Sequence, residues 1–503
     1  MNTPATDSSI ILTTLNARYI HSSLGLRYLL ANMGELEDQT QLVEYNINGR
    51  AIDIAEQLLK SAPAIIGFGL YIWNIEQITR VIKLIKTIRP QTIIIIGGPE
   101  VSYEFENVEA FEYSDYLITG QADVEFFQLC QKILNGEKPG NKIIHASRPD
   151  INKLKLPYKH YTQTDIDNRI IYVEASRGCP FKCEFCLSAL DKTAYPFDLD
   201  RFLEEMDTLY KRGVRHFKFV DRTFNLKPES SKTILDFFLQ RMDKDLFLHF
   251  ELIPDNLPEA LKEILVKFPE NSLQFEIGIQ SLNPDVQQLI SRKQNNEKSH
   301  DNITWISRNT HAHIHADLII GLPGESMQAF SNSLNKLAVI NPDEIQIGIL
   351  KRLKGTPIIR HTSEFDMRFN PEPPYNILSN KLIDFNDMQR LSRFSRYWDM
   401  IINSGRFNHS KPLILLTQPF DNFMALSDWL YAETGQTHKF ELQRLFKLLY
   451  RALIDILDCD LKEAETALTA DFVQSGLKGR ANFSEKTQQQ EKKASGKTRQ
   501  LRH

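Results

Sequence analysis

The sequence is poor in cysteine, with five residues in a chain of 503. An odd number, three of them close together, fits thiolate chemistry in a reducing compartment better than it fits a disulfide framework. The chain also lacks an excess of positive charge, since its formal net charge is -4. This argues against a protein that mainly coats nucleic acid. No apolar run approaches the roughly 20 residues that span a bilayer, and no basic leader precedes an apolar segment. These absences predict a cytoplasmic protein without a membrane segment.

The first part of the chain has the pattern of an α/β domain. Three apolar runs, "SIILTTLN", "AIIGFGLYI" and "TIIIIGGPE", predict strands of a parallel sheet buried on both faces. Asn74 and Gln77 are placed to form a capping box at the start of a helix that ends before Pro90. We therefore expect a doubly wound, Rossmann-like sheet, with its ligand at the carboxyl ends of the strands.

Beyond about residue 170, six predicted strands each precede a helical stretch. This alternation predicts a (β/α) barrel or a partial barrel, in which chemistry gathers at the C-terminal ends of the strands. The polar residues expected near those ends are Asp221, Glu251, Asp255, Glu276, Gln280, Asp317, Gln346 and Lys351.

The last part of the chain is predicted to be mainly helical, and no fixed-period repeat is present. Tyr375, Tyr397, Trp398 and Asp399 could line a cavity, but helical spacing of Phe385, Leu391, Phe394 and Trp398 favours a core role. The polar, low-complexity close predicts a disordered tail. The expected domains are 1–145, 165–360 and 361–480, followed by the tail at 481–503.

The three crowded cysteines are Cys179, Cys183 and Cys186, spaced as C-x3-C-x2-C. A structural zinc site takes four ligands, commonly from two C-x2-C pairs, and a conventional four-iron cluster takes four thiolates. Three thiolates leave one iron without a protein ligand, which suits a cluster that binds a substrate or cofactor directly. Cys130 and Cys459 stand alone in apolar helical contexts and are expected in the core.

With this spacing after a predicted strand, the sequence resembles the radical S-adenosylmethionine (SAM) superfamily. The resemblance implies a partial (β/α)6 barrel of the TIM type, whose [4Fe-4S] cluster is held by Cys179, Cys183 and Cys186. It implies that the open iron chelates SAM and that one electron splits the sulfonium to give a 5'-deoxyadenosyl radical. Phe185 matches the aromatic residue that the family places beside the adenine.

Further positions follow from the same resemblance. Asp221 lies where relatives contact the amino group of SAM, although the common Gly-Gly-Glu form is absent. The segment "FEIGIQS" resembles the ribose-contacting strand, and "DLIIGLPGES" resembles the glycine motif beside the adenosyl group. The candidate cofactor contacts are therefore Phe185, Asp221, Glu276, Gln280, Ser281, Gly321, Pro323 and Gly324. No catalytic residue is assigned beyond the cluster, and each carboxylate could instead cap a strand or form a salt bridge.

The domain order resembles the cobalamin-binding subclass of radical SAM enzymes. Two departures matter: the Asp-x-His-x-x-Gly element that supplies a histidine ligand is missing, and Gly120–Asp123 reads Gly-Gln-Ala-Asp instead of Gly-acid-Gly-acid. Cobalamin is therefore expected without a protein histidine ligand, with vestigial binding as an alternative. His21 is expected to be a loop or site-edge residue.

The predicted function is that of a radical SAM enzyme, cobalamin-dependent, which methylates or rearranges an unknown substrate. The alternatives are a relative of the tRNA-type methylthiotransferases and a non-catalytic iron-sulfur protein. The expected partners are a small-molecule or peptide substrate and a reductant such as flavodoxin or ferredoxin, without nucleic acid or membrane.

Overall fold

The structure, a computed structural model, describes residues 9–478 and Phe483. The predicted tail at 481–503 lies outside the described residues except for Phe483, whose ring packs on Phe446 and Phe472. Among the described helices, none combines the length and hydropathy needed to span a lipid bilayer.

The described chain forms two compact units. The first holds the described residues up to Gly278, together with Gln287–Ile314 and Leu350–Ile377. The second holds Ile279–Val286, His315–Ile349 and the described residues from Leu378 onward.

The N-terminal sheet consists of six parallel strands. They are β1 (Ile10–Asn16), β2 (Thr40–Asn46), β3 (Ile65–Gly69), β4 (Ile93–Gly97), β5 (Tyr116–Thr119) and β6 (Ile143–His145). Their order is β2-β1-β3-β4-β5-β6, and every neighbouring pair is parallel. The strand order reverses between β1 and β3, and open α/β sheets bind ligands at the carboxyl ends beside such a reversal.

Helices cover both faces of this sheet and its connection to the next. They are α1 (Leu24–Ala31), α2 (Ala51–Leu59), α3 (Ile75–Ile88), α4 (Glu109–Tyr113), α5 (Glu125–Leu134) and α6 (Gln163–Asn168). Because the strands are apolar on both faces, two buried clusters form, and Cys130 lies in one of them as predicted.

The predicted capping box at α3 is wrong, although the helix begins where expected. The Asn74 side chain accepts a hydrogen bond from the Tyr71 amide and donates to Thr14 Oγ1. The Gln77 amide donates to the Gly49 carbonyl at 2.6 Å. Tertiary partners have therefore taken both side chains away from the helix terminus.

The second sheet is the predicted partial barrel. Its region contains β7 (Ile171–Val173), β8 (Ser176–Arg177), β9 (Tyr195–Pro196), α7 (Leu199–Lys211), β10 (His216–Phe219), α8 (Pro228–Leu239), β11 (Phe247–Leu252), α9 (Glu259–Leu265), β12 (Leu273–Gln280), α10 (Pro284–Leu289), α11 (Asn296–Asn309), β13 (His313–Ile320), α12 (Met327–Ile340) and β14 (Glu344–Ile349). The six sheet strands have the order β14-β13-β12-β11-β10-β7. The expectation of six strand–helix units is confirmed.

The polar residues of this sheet differ in position from the prediction. Asp221 follows its strand as expected, but Glu251, Glu276 and Asp317 lie within β11, β12 and β13. Glu251 and Glu276 are neighbours in the parallel register. Alternation along a barrel strand turns every second residue inward, so polar residues can recur along a strand and not only at its end.

The C-terminal region is mainly helical, as predicted. It contains β15 (Arg368–Phe369), β16 (Ile377–Ser379), α13 (Phe385–Ile401), α14 (Lys411–Leu415), α15 (Pro419–Thr434), α16 (Leu442–Asp455) and α17 (Leu461–Gln474). Tyr397 and Trp398 are buried in α13, which confirms their core role.

Two details of this region correct the sequence interpretation. Phe385 is 53% exposed because it is the first residue of α13 and lies before the buried stripe. Cys459 is half-buried in the loop between α16 and α17, so its expected place in a helical core is wrong.

Candidate functional site

The three clustered cysteines lie on one loop, residues 177–195, which we call the cysteine loop. Its base is closed by the short antiparallel pairing of β8 with β9. Gly178, the second residue of the loop, has a φ of 84°, and a Cβ there would lie 1.9 Å from the Thr193 carbonyl oxygen. Only glycine fits this crossing, since a side chain would add both strain and a backbone clash.

The thiols of the cysteine loop influence one another electrostatically. Cys179 and Cys183 are buried and Cys186 is half-buried. Burial raises the pKa of Cys179, as do the nearby Cys186 and Cys183. Burial also raises the pKa of Cys183, whereas Arg292 acts in the opposite direction, with Nη1 3.6 Å from the Cys183 Sγ. Such positive charge favours the thiolates that an iron cluster requires.

The donor set of the cysteine loop is three thiols, the ligand type that iron-sulfur clusters take. Within residues 9–478 and Phe483, no three His, Cys, Asp or Glu side chains converge in a way that would hold one metal ion. Cluster thiolates each bind a different iron and need not surround one point. Three mutually interacting cysteines on one loop therefore fit a cluster with one open iron.

Asp221 holds the residues that lead into the cysteine loop. Its carboxylate accepts hydrogen bonds from the Ala175 amide at 2.9 Å and from the Ser176 hydroxyl at 2.6 Å. The side chain is buried, and burial raises the pKa of Asp221 to about 7. Both oxygens already have partners in the chain, so Asp221 acts as an anchor of the loop.

Arg177 joins the start of the cysteine loop to the N-terminal sheet. Its guanidinium lies 3.0 and 3.1 Å from the two Asp123 oxygens, and its Nε donates to Glu174 at 2.8 Å. The Gln121 oxygen accepts a longer bond of 3.3 Å from the same guanidinium. The segment Gly120–Asp123, which departs from the Gly-acid-Gly-acid pattern, therefore contacts the cysteine loop.

Glu184, between the second and third cysteines, is held by two later segments. Its carboxylate accepts a hydrogen bond from Ser291 Oγ at 2.6 Å, pairs with Arg360, and lies 2.9 Å from His361 Nε2. Its main chain bonds to Ile290 and to Ile358. The carboxylate is 3% exposed and fully partnered, so it fastens the centre of the loop.

A cluster of charged and polar side chains lies on strands β10 to β12 and just after β10. Glu276 lies 3.0 Å from His249 Nε2 and 3.6 Å from Lys218 Nζ. Arg222 pairs with Glu251 at 2.6 Å. The cluster, which lies in the first compact unit, combines two carboxylates with three cationic or polar side chains. It is therefore suited to a ligand that carries both a positive and a negative group.

The remaining predicted contacts are placed as follows. Phe185 is half-buried on the cysteine loop. Gln280 has a φ of 68° at the end of β12, and the next residue, Ser281, donates from Oγ to Glu325 at 2.7 Å within the second unit. Gly321 and Gly324 have φ values of 88° and 75°, on either side of the buried Pro323. These residues stay predicted contacts of the adenosyl group.

A cavity of about 430 Å³ lies between the carboxyl ends of the N-terminal strands and the cysteine loop. Its wall includes Gly69, Gly97, Gly98, Gly120 and Gly178. Added side chains would crowd this surface, since a Cβ at Gly98 would lie 2.4 Å from the Leu70 carbonyl oxygen. A glycine surface of this kind suits close approach of backbone to a large, flat ligand such as cobalamin.

The described lining of this cavity contains no histidine. His21 lies elsewhere, with its Nδ1 2.7 Å from the Tyr172 hydroxyl. This agrees with the expected loop or site-edge position of His21, and cobalamin binding without a protein histidine ligand stays a prediction.

Sequence reasoning missed several residues that contact the cysteine loop. Arg292 and Ser291 come after α10, and His361 follows β14, more than 100 residues from the cysteines. Only Arg177 carried a local signal, because it directly precedes the Gly-Cys pair.

Three family models match the chain. The model described as Radical SAM superfamily matches residues 173–337, and the one described as B12 binding domain matches residues 10–129. A third, described as protein of unknown function (DUF4080), matches residues 363–502. Residues 173–337 therefore match a radical SAM domain, and residues 10–129 match a B12 binding domain. These two domain matches support the predicted radical SAM enzyme and confirm the predicted [4Fe-4S], SAM and cobalamin cofactors.

Similar proteins include two methyltransferases and a cobalamin-dependent SAM radical enzyme. The uncharacterized methyltransferase PH0819 of Pyrococcus horikoshii is 22% identical over 85% of this chain and 93% of its own length. The cobalamin-dependent radical SAM methyltransferase TokK of Streptomyces tokunonensis is 22% identical over an aligned region that covers 59% of this chain and 48% of TokK. The structure of the cobalamin-dependent SAM radical enzyme OxsB, with aqua-cobalamin and SAM bound, aligns with a TM-score of 0.61 at 13% identity, covering 94% of this chain and 84% of OxsB.

Proposed function

We propose that this protein is a cobalamin-dependent radical SAM methyltransferase acting on a small-molecule or peptide substrate. The observation that carries the proposal is the single cavity that the glycine strand ends share with the cysteine loop. Gly97 and Gly120 contribute from one side, and Gly178 and Ser188 contribute from the other. One space therefore adjoins both the expected corrin surface and the expected cluster.

The cysteine loop is built to hold a charged cluster. The [4Fe-4S] cluster, when bound, supplies the electron that divides the sulfonium of SAM into methionine and a 5'-deoxyadenosyl radical. Cys179, Cys183 and Cys186 would hold it as thiolates. Arg292 beside Cys183, and Arg222 near Cys179, partly offset their negative charge.

SAM itself carries a positive amino group, a carboxylate and ribose hydroxyls, and Glu276 and Glu251 are the carboxylates we assign to it. Hydrogen bonds to charged groups are worth roughly 1.5–3 kcal/mol each, so two of them position a ligand effectively. Arg292 is the cation we assign to the SAM carboxylate. Asp221, with both oxygens partnered by residues 175 and 176, contributes by fixing the loop.

Cobalamin, when bound, supplies a carrier for a methyl group. The backbone at Gly69, Gly97, Gly98 and Gly120 would lie against it. The methyltransferase names of PH0819 and TokK support methyl transfer over rearrangement for this chain as well.

The methylthiotransferase alternative fits less well. A second cluster needs further cysteines, and only Cys130 and Cys459 remain outside the loop. Cys130 is buried in the core of the N-terminal sheet. We retain a flavodoxin or ferredoxin reductant, a cytoplasmic location, and the domains 1–145, 165–360, 361–480 and 481–503 as proposals.

The test is anaerobic reconstitution with iron, sulfide and hydroxocobalamin, followed by dithionite, SAM with a deuterated methyl group, and a pool of cell metabolites. We expect 5'-deoxyadenosine and a metabolite that carries the labelled methyl group, both by mass spectrometry. The matched control is protein reconstituted without cobalamin, which should give no labelled product. If 5'-deoxyadenosine forms equally without cobalamin and no label is transferred, the methyltransferase proposal is wrong.

A further inference from the structure

A second cavity, of about 540 Å³, lies beside helix α1 within the first compact unit. Gly25 and Leu29 of this helix line the cavity of about 430 Å³ that adjoins the cysteine loop. Arg27 and Leu30 line the second cavity instead. Residues three or four apart share one face of a helix, so two different faces of α1 border the two cavities.

The carboxylates that line the second cavity are already paired. One oxygen of Glu44 lies 2.9 Å from Arg27 and 2.8 Å from Arg169. Asp165 accepts hydrogen bonds of 2.9 Å from the amide and the hydroxyl of Thr162, and it lies 3.0 Å from Arg27. Both carboxylates are at most 9% exposed. They therefore serve the two arginines and have little capacity left for a ligand.

Polar atoms without partners are concentrated in the lining of this cavity. In the part of the chain that the structure describes, neither Arg27 Nε nor Arg169 Nε has a hydrogen-bond partner. The same holds for the Tyr45 hydroxyl and for His160 Nε2. Burial lowers the pKa of His160 to about 4, so its ring is neutral near pH 7. Buried polar groups without partners are rare in folded proteins, and four around one cavity indicate a missing ligand.

Further cations line the same cavity. Lys159 and Arg212 bring the number of basic side chains in the described lining to four, against the two carboxylates of Glu44 and Asp165. Outside that lining, Glu37 lies 2.5 Å from Lys159, and the charge of Glu205 acts on neither of the inner arginines but is influenced by Arg212 and Lys159. Because a guanidinium can only donate, the hydrogen-bonding capacity that is left in the cavity suits an acceptor with several oxygens.

We propose that the second cavity binds a phosphate ester of the size of a nucleotide or a sugar phosphate. Guanidinium groups match the geometry of phosphate oxygens. Small-molecule pockets have volumes of about 300–1,000 Å³, so this cavity has room for an organic group beside the phosphate. Tyr19, which is 53% exposed and has its ring 4.9 Å from the Arg169 guanidinium, offers a flat surface to that group.

This site goes beyond the proposed function, since the cluster, SAM and cobalamin are all assigned elsewhere. Its ligand would contact α1 through Arg27 and Leu30, and the opposite face of α1 borders the expected cobalamin site.

The experiment titrates holoenzyme that is saturated with SAM and cobalamin, so that those sites are occupied. The probes are uridine monophosphate and ribose 5-phosphate, with uridine and ribose as their phosphate-free counterparts, and binding is measured by calorimetry. We expect both esters to bind wild type, and each counterpart to bind at least about 10-fold more weakly. Arg169→Gln should weaken ester binding by about 10- to 100-fold, because it removes a charge-assisted contact.

Thr164→Phe is a second variant that keeps every charge. Thr164 lines the cavity and is exposed on α6, so the added ring should obstruct the cavity and weaken ester binding without disturbing the core. Arg215→Gln is the matched control: Arg215 is also half-buried and lies 2.6 Å from a carboxylate, that of Asp243, but it is absent from the described lining. It should bind the esters as wild type does.

Three results would overturn the proposal: wild type that binds neither ester, uridine that binds as tightly as uridine monophosphate, or ester binding that is unchanged in both cavity variants. Thermal unfolding checks that each variant is folded, and if Arg169→Gln is not, Thr164→Phe decides. Wild type that binds the esters but does not cleave SAM under dithionite would contradict the proposed function and leave the phosphate site supported.

Discussion

Ser176, three residues before Cys179, donates a hydrogen bond of 2.6 Å from its Oγ to the Asp221 carboxylate. The carboxylate also accepts from the Ala175 amide. Sequence reasoning gave Asp221 a direct contact with SAM, whereas both its oxygens bind the chain that enters the cysteine loop. Its role can be tested through its ionisation.

Burial raises the pKa of Asp221 to about 7 in the folded protein, against roughly 3.9 in an unfolded chain. Between these values the folded state binds the extra proton, so folding stability should fall as pH rises, by about 1.4 kcal/mol per pH unit, and should level off above pH 7. Asp221→Asn removes this titration. Urea unfolding of both proteins from pH 5 to 8 should show wild type losing stability relative to the variant. Parallel curves would mean that Asp221 is ionised throughout.

Gly178→Ala should abolish iron binding. The new Cβ would lie 1.9 Å from the Thr193 carbonyl oxygen at a φ of 84°, so the loop base must open. Gly136→Ala is the matched control, because Gly136 has a φ of 82° and nothing within 4 Å of the added Cβ. Iron analysis after reconstitution should find the cluster in Gly136→Ala only. Equal iron in the two variants would show that the crossing at Gly178 is dispensable.

Glu276→Ala should keep the cluster and weaken SAM binding by about 10- to 100-fold, because it removes a charge-assisted hydrogen bond worth roughly 1.5–3 kcal/mol. Glu259→Ala, a change at a side chain that is 75% exposed on α9, is the control and should have no effect. Equilibrium binding of SAM to reconstituted protein measures both. Unchanged SAM affinity in Glu276→Ala would show that Glu276 does not bind SAM and serves only its contacts with His249 and Lys218.

Cobalamin should bind without a nitrogen ligand from the protein, since no histidine is present in the described cavity lining. The paramagnetic resonance spectrum of the cob(II)alamin form should therefore lack nitrogen superhyperfine splitting. His21→Ala should leave that spectrum unchanged, because His21 contacts Tyr172. Splitting that is present in wild type and lost in His21→Ala would contradict this assignment.

The strands could be predicted from the sequence because their signals are local, and the proposed cluster ligands are likewise close together in the chain. Apolar runs closing on glycine, such as the one ending at Gly97, need no distant partner to be recognised. The same holds for C-x3-C-x2-C, whose spacing lies on one loop.

The contacts that hold the loop could not be predicted because they join distant segments. Glu184 and His361 are 177 residues apart, and nothing near either of them signals the contact. Asn74 has every local feature of a helix cap, but Thr14 and Tyr71 compete for its side chain in the folded protein. Helical spacing predicts a core position for Phe385, but spacing alone does not show where the buried stripe of α13 begins.

The central claim is that three cysteines hold a cluster that cleaves SAM. The direct measurement is iron content together with 5'-deoxyadenosine formed under dithionite, in Cys179→Ala, Cys183→Ala and Cys186→Ala, with Cys130→Ala and Cys459→Ser as controls. The account predicts that each loop variant loses both the cluster and 5'-deoxyadenosine, whereas both controls keep them. Iron retention with SAM cleavage in two of the three loop variants, or no 5'-deoxyadenosine from wild type, would contradict it.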